Sequence, residues 1–209
     1  GKDKLFLELF GRPVVSHTWA RFDGLPEIDE IVMVVREGRR GEFEKLTATL
    51  DLVKPYQIVN GGAERQDSVW NGLEAVSSST EIVAVQDGAR PCTDSDLIIR
   101  TINAARETGA AAPASCVTDT FKETNAEGCI ARHIDRESLR AVQTPQTFKL
   151  EIIRSALEAV RKNGRQMTDD TSACELIGQP VKLVESSAPN PKVTTESDLL
   201  LVERLLRDK

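Results

Sequence analysis

Residues 81–91 read EIVAVQDGARP. Four β-formers, Ile82, Val83, Ala84 and Val85, end abruptly in an acid, a glycine, a small residue, an arginine and a proline. The pattern predicts a fully buried parallel strand whose carboxyl end delivers Asp87 into a crevice, where open α/β sheets place their ligands. An aspartate there can hold a metal ion. Gly88 allows close backbone approach, Arg90 offers a planar fork of donors suited to phosphate, and Pro91 stops the strand. A strand-end turn with a solvated acid and base has the same composition, and these residues alone leave both open.

Outward from this stretch, strands and helices alternate. Strands are expected at 31–35, 55–60, 81–86, 110–116 and 181–184. Helices are expected from Pro13, over 39–50, 64–76, 94–106, about 150–162 and about 169–177, and from Thr195, where Thr-x-x-Asp forms a capping pattern. Leu5, Leu7 and Leu9 alternate like a further strand near the start of the chain. This rhythm argues for βαβ units, a mainly parallel sheet and helices on both faces. Residues 117–142 break it. Their polar, turn-rich centre at 125–128 predicts a hairpin projecting from the body.

The chain has 209 residues, 40% of them hydrophobic, which suffices for one domain with a sizeable core. A net charge of −6 argues against nucleic acid as a partner. Anionic small substrates would need a local cluster of Lys and Arg. Cys92, Cys116, Cys129 and Cys174 form no CxxC pair, so neither a zinc site nor a disulfide framework is expected. No apolar run is long enough to span a bilayer, and a cytoplasmic location is expected, with a removed targeting segment left open.

Polar stretches that can carry chemistry lie at 61–68 (GGAERQDS), 87–90, 118–136 and 190–194 (NPKVT). Gly61 and Gly62 can bring backbone against a flat base, with Ser68 as a hydrogen-bond partner; a turn with a helix cap is the commoner use of such residues. Lys192, between Pro191 and Val193, sits in a stiff context that aims its side chain.

In order along the chain, DKLFLELFGRPVVSHT, GGAERQDSV, QDGARP, TDTFK, IDRESLRAVQTPQTF, TDDTSACEL and NPKVTTESDL resemble the 2-C-methyl-D-erythritol 4-phosphate cytidylyltransferase family. The resemblance implies a Rossmann-like three-layer α/β/α domain over 1–209 with 117–142 as a dimerisation arm. It also implies transfer of CMP from CTP to 2-C-methyl-D-erythritol 4-phosphate with Mg²⁺, releasing pyrophosphate, in non-mevalonate isoprenoid biosynthesis. By matching motif, Lys4, Lys192 and Asp87 are the catalytic residues, and Asp87 also holds the metal. Lys4, Gly62, Ser68, Asp87 and Gly88 fall at CTP-binding positions, and Arg90, Thr120, Arg136, Thr144 and Lys192 at the sugar-phosphate site. The implied assembly is a homodimer whose arms complete each other's sites.

The sequence departs from the family pattern in three places. It begins after the family's first strand and glycine-rich loop, so an amino-terminal piece is expected beyond it, without which neighbouring strands would lie unpaired. Ala63 stands where an acid is common. Gln86 replaces a frequent histidine, and DKLF replaces PKQF around Lys4. Rival readings are a cytidylyltransferase for another polyol phosphate, such as ribitol 5-phosphate, and a non-catalytic nucleotide-binding protein. A dehydrogenase is disfavoured, because no GxGxxG is visible.

Overall fold

The computed structural model describes residues 3–207, so Gly1, Lys2, Asp208 and Lys209 lie outside the described residues. In chain order the elements are β1 (Glu8–Leu9), β2 (Arg12–Pro13), α1 (Val14–Asp23), β3 (Ile31–Val35), α2 (Arg40–Thr47), β4 (Tyr56–Asn60), α3 (Arg65–Ala75), β5 (Ile82–Val85) and α4 (Ser95–Thr108). Then follow β6 (Ala110–Cys116), β7 (Lys122–Thr124), β8 (Ile130–His133), β9 (Arg140–Val142), β10 (Gln146–Lys149), α5 (Leu150–Asn163), α6 (Asp170–Glu175), β11 (Lys182–Glu185) and α7 (Asp198–Arg207).

The main sheet runs β11-β6-β10-β5. β10 is antiparallel to both β5 and β6, while β11 is parallel to β6, so β5, β6 and β11 share one direction and β10 alone is reversed along that path. β3 and β4 form a separate parallel pair. The fold is therefore the expected α/β layering on a mainly parallel sheet, with helices packed against it.

β10 was not foreseen. Gln-Thr-Phe-Lys is short with three polar residues of four, and only its place between two other strands makes it a strand, with Phe148 wholly buried in the core. Burial of that ring is worth on the order of 2–3 kcal/mol. β5, expected to be fully buried, is half-buried along its length, because among the described residues it pairs only with β10.

Among the described residues, the other edges of β3 and β5 pair with nothing. Apolar side chains nonetheless span the two strands. Ile31 of β3 and Ile82 of β5 join one cluster with Phe22 of α1. Val69 and Trp70 of α3 join another with Val83 and Val85 of β5, while α3 also lies against β3 and β4.

Three further expectations are corrected. The alternating Leu5, Leu7 and Leu9 form no continuous strand: Lys4–Phe6 is a 3-10 turn capped by the Asp3 carboxylate, and Leu9 belongs to a two-residue strand paired with Arg12–Pro13. α7 starts at Asp198, three residues after Thr195, because Asp198 folds back to accept from the Thr194 and Thr195 amides at 2.7 and 2.9 Å. α6 occupies only the first part of its expected span, ending at Glu175.

Within 117–142 only the β7–β8 hairpin stands apart from the main sheet. β7 and β8 pair antiparallel and are exposed throughout, and β9 returns along the far end of β6 through Ala114–Val142, Ser115–Ala141 and Cys116–Arg140.

Candidate active site

The loop after β5 presents Asp87 with its side chain 23% exposed. Lys192 Nζ lies 2.8 Å from its Oδ2, and Arg90 Nε lies 3.5 Å from the same oxygen. Burial pushes the Asp87 carboxyl up, but the Lys192 hydrogen bond, with the charges of Lys192, Arg90 and Arg65, outweighs it and holds the group below the usual carboxylate range. Asp87 is therefore an anion at neutral pH. An ion pair this accessible contributes roughly 0.2–1 kcal/mol. Little is lost when an arriving anion draws Lys192 away, so the pair is better suited to exchange than to holding the fold together.

The loop itself is rigid. Asn190, 5% exposed, accepts from the Thr93 hydroxyl at 3.1 Å and donates through Nδ2 to Gln143 Oε1 and the Thr144 carbonyl at 3.2 and 3.3 Å. Its own carbonyl receives Arg90 Nη1 at 2.6 Å. The Val193 amide donates to the Ala89 carbonyl at 2.8 Å with its side chain fully buried, so Lys192 is held between two anchored neighbours. Gln86, where a histidine is frequent in the family pattern, donates to Thr93 Oγ1 at 3.0 Å and props the same loop. The Asp87 amide donates to Thr144 Oγ1 at 3.1 Å.

Thus Asp87, Arg90, Thr144 and Lys192 come together from three separate stretches of chain, 87–90, 144 and 192. Gly88 also has a local packing use. A Cβ there would lie 3.2 Å from Val15 Cγ2 and 3.3 Å from Leu5 Cδ2, so its bare face serves the packing of α1 and the Lys4–Phe6 turn. That contact brings Lys4 to within one residue of a side chain touching the loop. Among the described residues, its ammonium has no hydrogen-bond or ion-pair partner.

The 61–68 turn makes the cap that its composition allows. Glu64 and Asp67 form a reciprocal capping box at the start of α3, the Gly62 amide donates to Ser68 Oγ at 3.1 Å, and Ser68 Oγ donates to the Glu64 carbonyl at 3.2 Å. A Cβ on Gly61 would sit 2.6 Å from Ser68 Oγ, and one on Gly62 would overlap Asp67. Both glycines are thus required for the chain to fold back on its helix. Gly62 stays exposed, with its peptide accessible from outside.

Thr120 and Arg136 lie apart, both exposed on the arm. Arg136 Nη1 donates to the Thr118 carbonyl at 2.7 Å, and among the described residues no hydrogen bond or ion pair joins either residue to the Asp87 loop.

Residue-by-residue reading assigned no role to Gln86, Thr93, Gln146 or Asn190, nor to Arg65 and Asp170, whose carboxylate and guanidinium meet in a bidentate pair. The strings GGAERQDSV and TDDTSACEL contain the last two. Nothing in either string tells that they meet across 105 residues.

The family model for 2-C-methyl-D-erythritol 4-phosphate cytidylyltransferase matches residues 1–208. The protein of that name from Geobacillus kaustophilus is 43% identical over 209 residues, covering 100% of this chain and 91% of its own. The one from Bacillus cytotoxicus is 40% identical over 206 residues, covering 99% and 90%. Among solved structures, the 4-diphosphocytidyl-2C-methyl-D-erythritol synthase of Anaerococcus prevotii superposes with a TM-score of 0.88 at 29% identity, covering 97% of this chain and 93% of that one. The 2-C-methyl-D-erythritol 4-phosphate cytidylyltransferase of Thermus thermophilus gives 0.80 at 34%, covering 98% and 94%.

Proposed function

The chain belongs to the 2-C-methyl-D-erythritol 4-phosphate cytidylyltransferase family, and we propose that the crevice around Asp87 and Lys192 is where it carries out cytidylyl transfer for isoprenoid biosynthesis. A phosphate oxygen of 2-C-methyl-D-erythritol 4-phosphate attacks the α-phosphorus of CTP in line. The bond from that phosphorus to the bridging oxygen breaks, and pyrophosphate leaves with the electron pair. Product is 4-diphosphocytidyl-2-C-methyl-D-erythritol. Such chemistry needs positioning and charge stabilisation more than covalent help.

The convergence of Lys192 and Arg90 on one oxygen of Asp87 carries this reading. It supplies, in a chain of net charge −6, the local cation pair that two phosphorylated substrates require. In the proposal, Lys192 leaves Asp87 to bind the α-phosphate as negative charge accumulates, joined by Lys4 from the adjacent turn. Arg90 and Thr144, with Lys192, hold the acceptor phosphate and its polyol. Gly62, Ser68 and Gly88 border the cytidine.

Asp87 is a hard, ionised oxygen donor, and no group of three or more metal-ligating side chains occurs among the described residues. That donor set fits Mg²⁺ carried in by nucleotide phosphates and held by one carboxylate, not a closed protein cage. When bound, the ion would neutralise phosphate charge, with Asp87 as its protein ligand. Full activity in excess chelator would exclude it.

Thr120 and Arg136 enter the reading through a homodimer, in which the arm of one chain reaches the Asp87 crevice of the other. The open edges of β3 and β5 enter through a further strand between them, supplied by a longer chain. Four cysteines outside any disulfide fit a reducing compartment, and we place the protein in the cytoplasm. Among the described residues, no helix is long and apolar enough to cross a membrane.

The deciding assay is pyrophosphate release by the full-length protein with each of the four ribonucleoside triphosphates, and with methylerythritol phosphate or ribitol 5-phosphate as acceptor. Release is expected with CTP and methylerythritol phosphate. Preference for ribitol 5-phosphate would redirect the reading to the sister activity, and nucleotide binding without release would make it a binding protein.

A further inference from the structure

Among the described residues two carboxylates are buried, Asp23 and Asp170, at 5% and 1% exposure. Asp23 is spent on backbone, accepting from the Val53 and Lys54 amides. Asp170 instead takes both terminal nitrogens of Arg65, each at 2.6 Å. This fork-to-fork contact joins the first residue of α6 to the first residue of α3, which begins just after Gly61 and Gly62.

Neighbouring contacts extend the grip in both directions. Gln66 donates to the Arg165 carbonyl and accepts from the Met167 amide, each at 2.9 Å, docking the 61–68 turn a second time onto the segment before α6. On the far side, Gln146 Oε1 accepts from the Asp170 and Thr171 amides at 2.9 and 3.2 Å, and its Nε2 donates to Asp169 at 3.0 Å. Gln146 stands two residues beyond Thr144, whose hydroxyl receives the Asp87 amide. A continuous path therefore runs from the glycine turn, through Arg65, Asp170 and Gln146, to Thr144 and Asp87.

Stability alone is a weak reason for such a pair, since well-packed apolar residues can replace a buried ion pair without loss. Orientation is a better one. A bidentate contact fixes the plane and direction of Arg65, which also feels the charges of Asp87 and Asp169.

We infer that Asp170 is a positioning residue for the transfer: by gripping Arg65 it sets the 61–68 turn in register with Thr144 and Asp87, and so sets where the cytosine ring lies relative to the reacting phosphates. The inference rests on the base-binding reading of that turn. Release of the grip frees the turn and leaves Arg65 facing Asp87 and Asp169, which loosens nucleotide recognition before it affects the acceptor.

The test uses full-length protein with Mg²⁺, measuring steady-state pyrophosphate release with CTP, UTP and acceptor varied separately. Asp170→Asn is expected to raise KM for CTP about tenfold and to narrow the preference for CTP over UTP by a similar factor, with KM for the acceptor within about twofold of wild type. Gln66→Ala, which loosens the same turn without stranding a buried charge, is expected to shift KM for CTP the same way by about threefold. A folded Asp170→Asn enzyme with unchanged KM for CTP and unchanged base preference overturns the inference, as does a fall in kcat alone. Should Asp170→Asn not fold, the same outcome in Gln66→Ala overturns it. Calorimetric titration with CTP separates the two layers: no binding by wild type refutes the site reading, whereas equal binding by wild type and variant refutes only the role of Asp170.

Discussion

The Asp87 loop and the 117–142 arm both carry residues that the family resemblance assigns to phosphate, yet they are held in opposite ways. Around Asp87, the supporting side chains Thr93, Asn190 and Val193 are 0%, 5% and 0% exposed, with Thr93 bonded to Asn190 and the Val193 amide to the Ala89 carbonyl. On the arm, β7, β8 and β9 are exposed at every position, and Phe121, Ile130 and Val142 show 47%, 68% and 38% of their surface. The first region has its geometry before any ligand arrives. The second spends backbone entropy of roughly 1–2 kcal/mol per ordered residue with little apolar burial to offset it, which is the reason for the homodimer proposed above.

The sharpest way to break this comparison is to remove charge from the rigid region. Lys192→Ala, and separately Lys4→Ala, should lower kcat by on the order of a hundredfold or more. Melting temperature should hardly move, because the accessible Asp87–Lys192 pair contributes little to folding. Unchanged turnover in either variant takes that lysine out of the mechanism; a large loss of stability in Lys192→Ala would show that the ion pair serves the fold.

The arm is tested by complementation. In mixed dimers of Arg136→Ala and Lys192→Ala chains, one site receives both intact residues and the other receives neither. Random exchange at equal amounts should restore roughly a quarter of wild-type activity. No recovery after verified exchange means that each chain builds its site alone, and the contrast between a finished crevice and an arm awaiting a partner falls.

Thiol labelling gives the smallest effect and maps the same contrast. Cys116 and Cys129 are exposed at the base and tip of the arm, whereas Cys92 and Cys174 are buried. Burial, aided by the nearby negative charges of Asp170 and Asp169, pushes the Cys174 thiol up to about 12, so at pH 8 it carries almost no thiolate. Arm thiols should react within minutes with a neutral disulfide reagent at pH 8, and the buried ones only on unfolding. Rapid reaction at Cys174 would show that α6, and with it the Asp170 grip, opens readily.

Much of the architecture was legible in the chain. Apolar runs such as Ile31–Val35 and helical spacing such as Ile153, Ala156, Leu157 and Val160 are local signals, and local burial answers them directly. Local pattern and final structure diverge where the pattern competes with tertiary demand. Leu5, Leu7 and Leu9 alternate like a strand, but Asp3 captures the Leu5 amide at 3.0 Å and turns the chain instead. Gln146–Lys149 lacks a strand's composition, yet a gap between β5 and β6 makes it one.

Sequence by itself determined most of the strand and helix alternation, the hairpin within 117–142, and the choice of Asp87, Arg90, Thr144 and Lys192 as candidates, because side-chain type, periodicity and motif are written along the chain. Tertiary structure alone decided that Lys192 meets Asp87 across 105 positions, that Asn190 braces Arg90 and Thr93, and that Arg65 finds Asp170. Such pairings depend on which loops the sheet brings to one end, and a buried charge declares its partner only after the chain around it has excluded water.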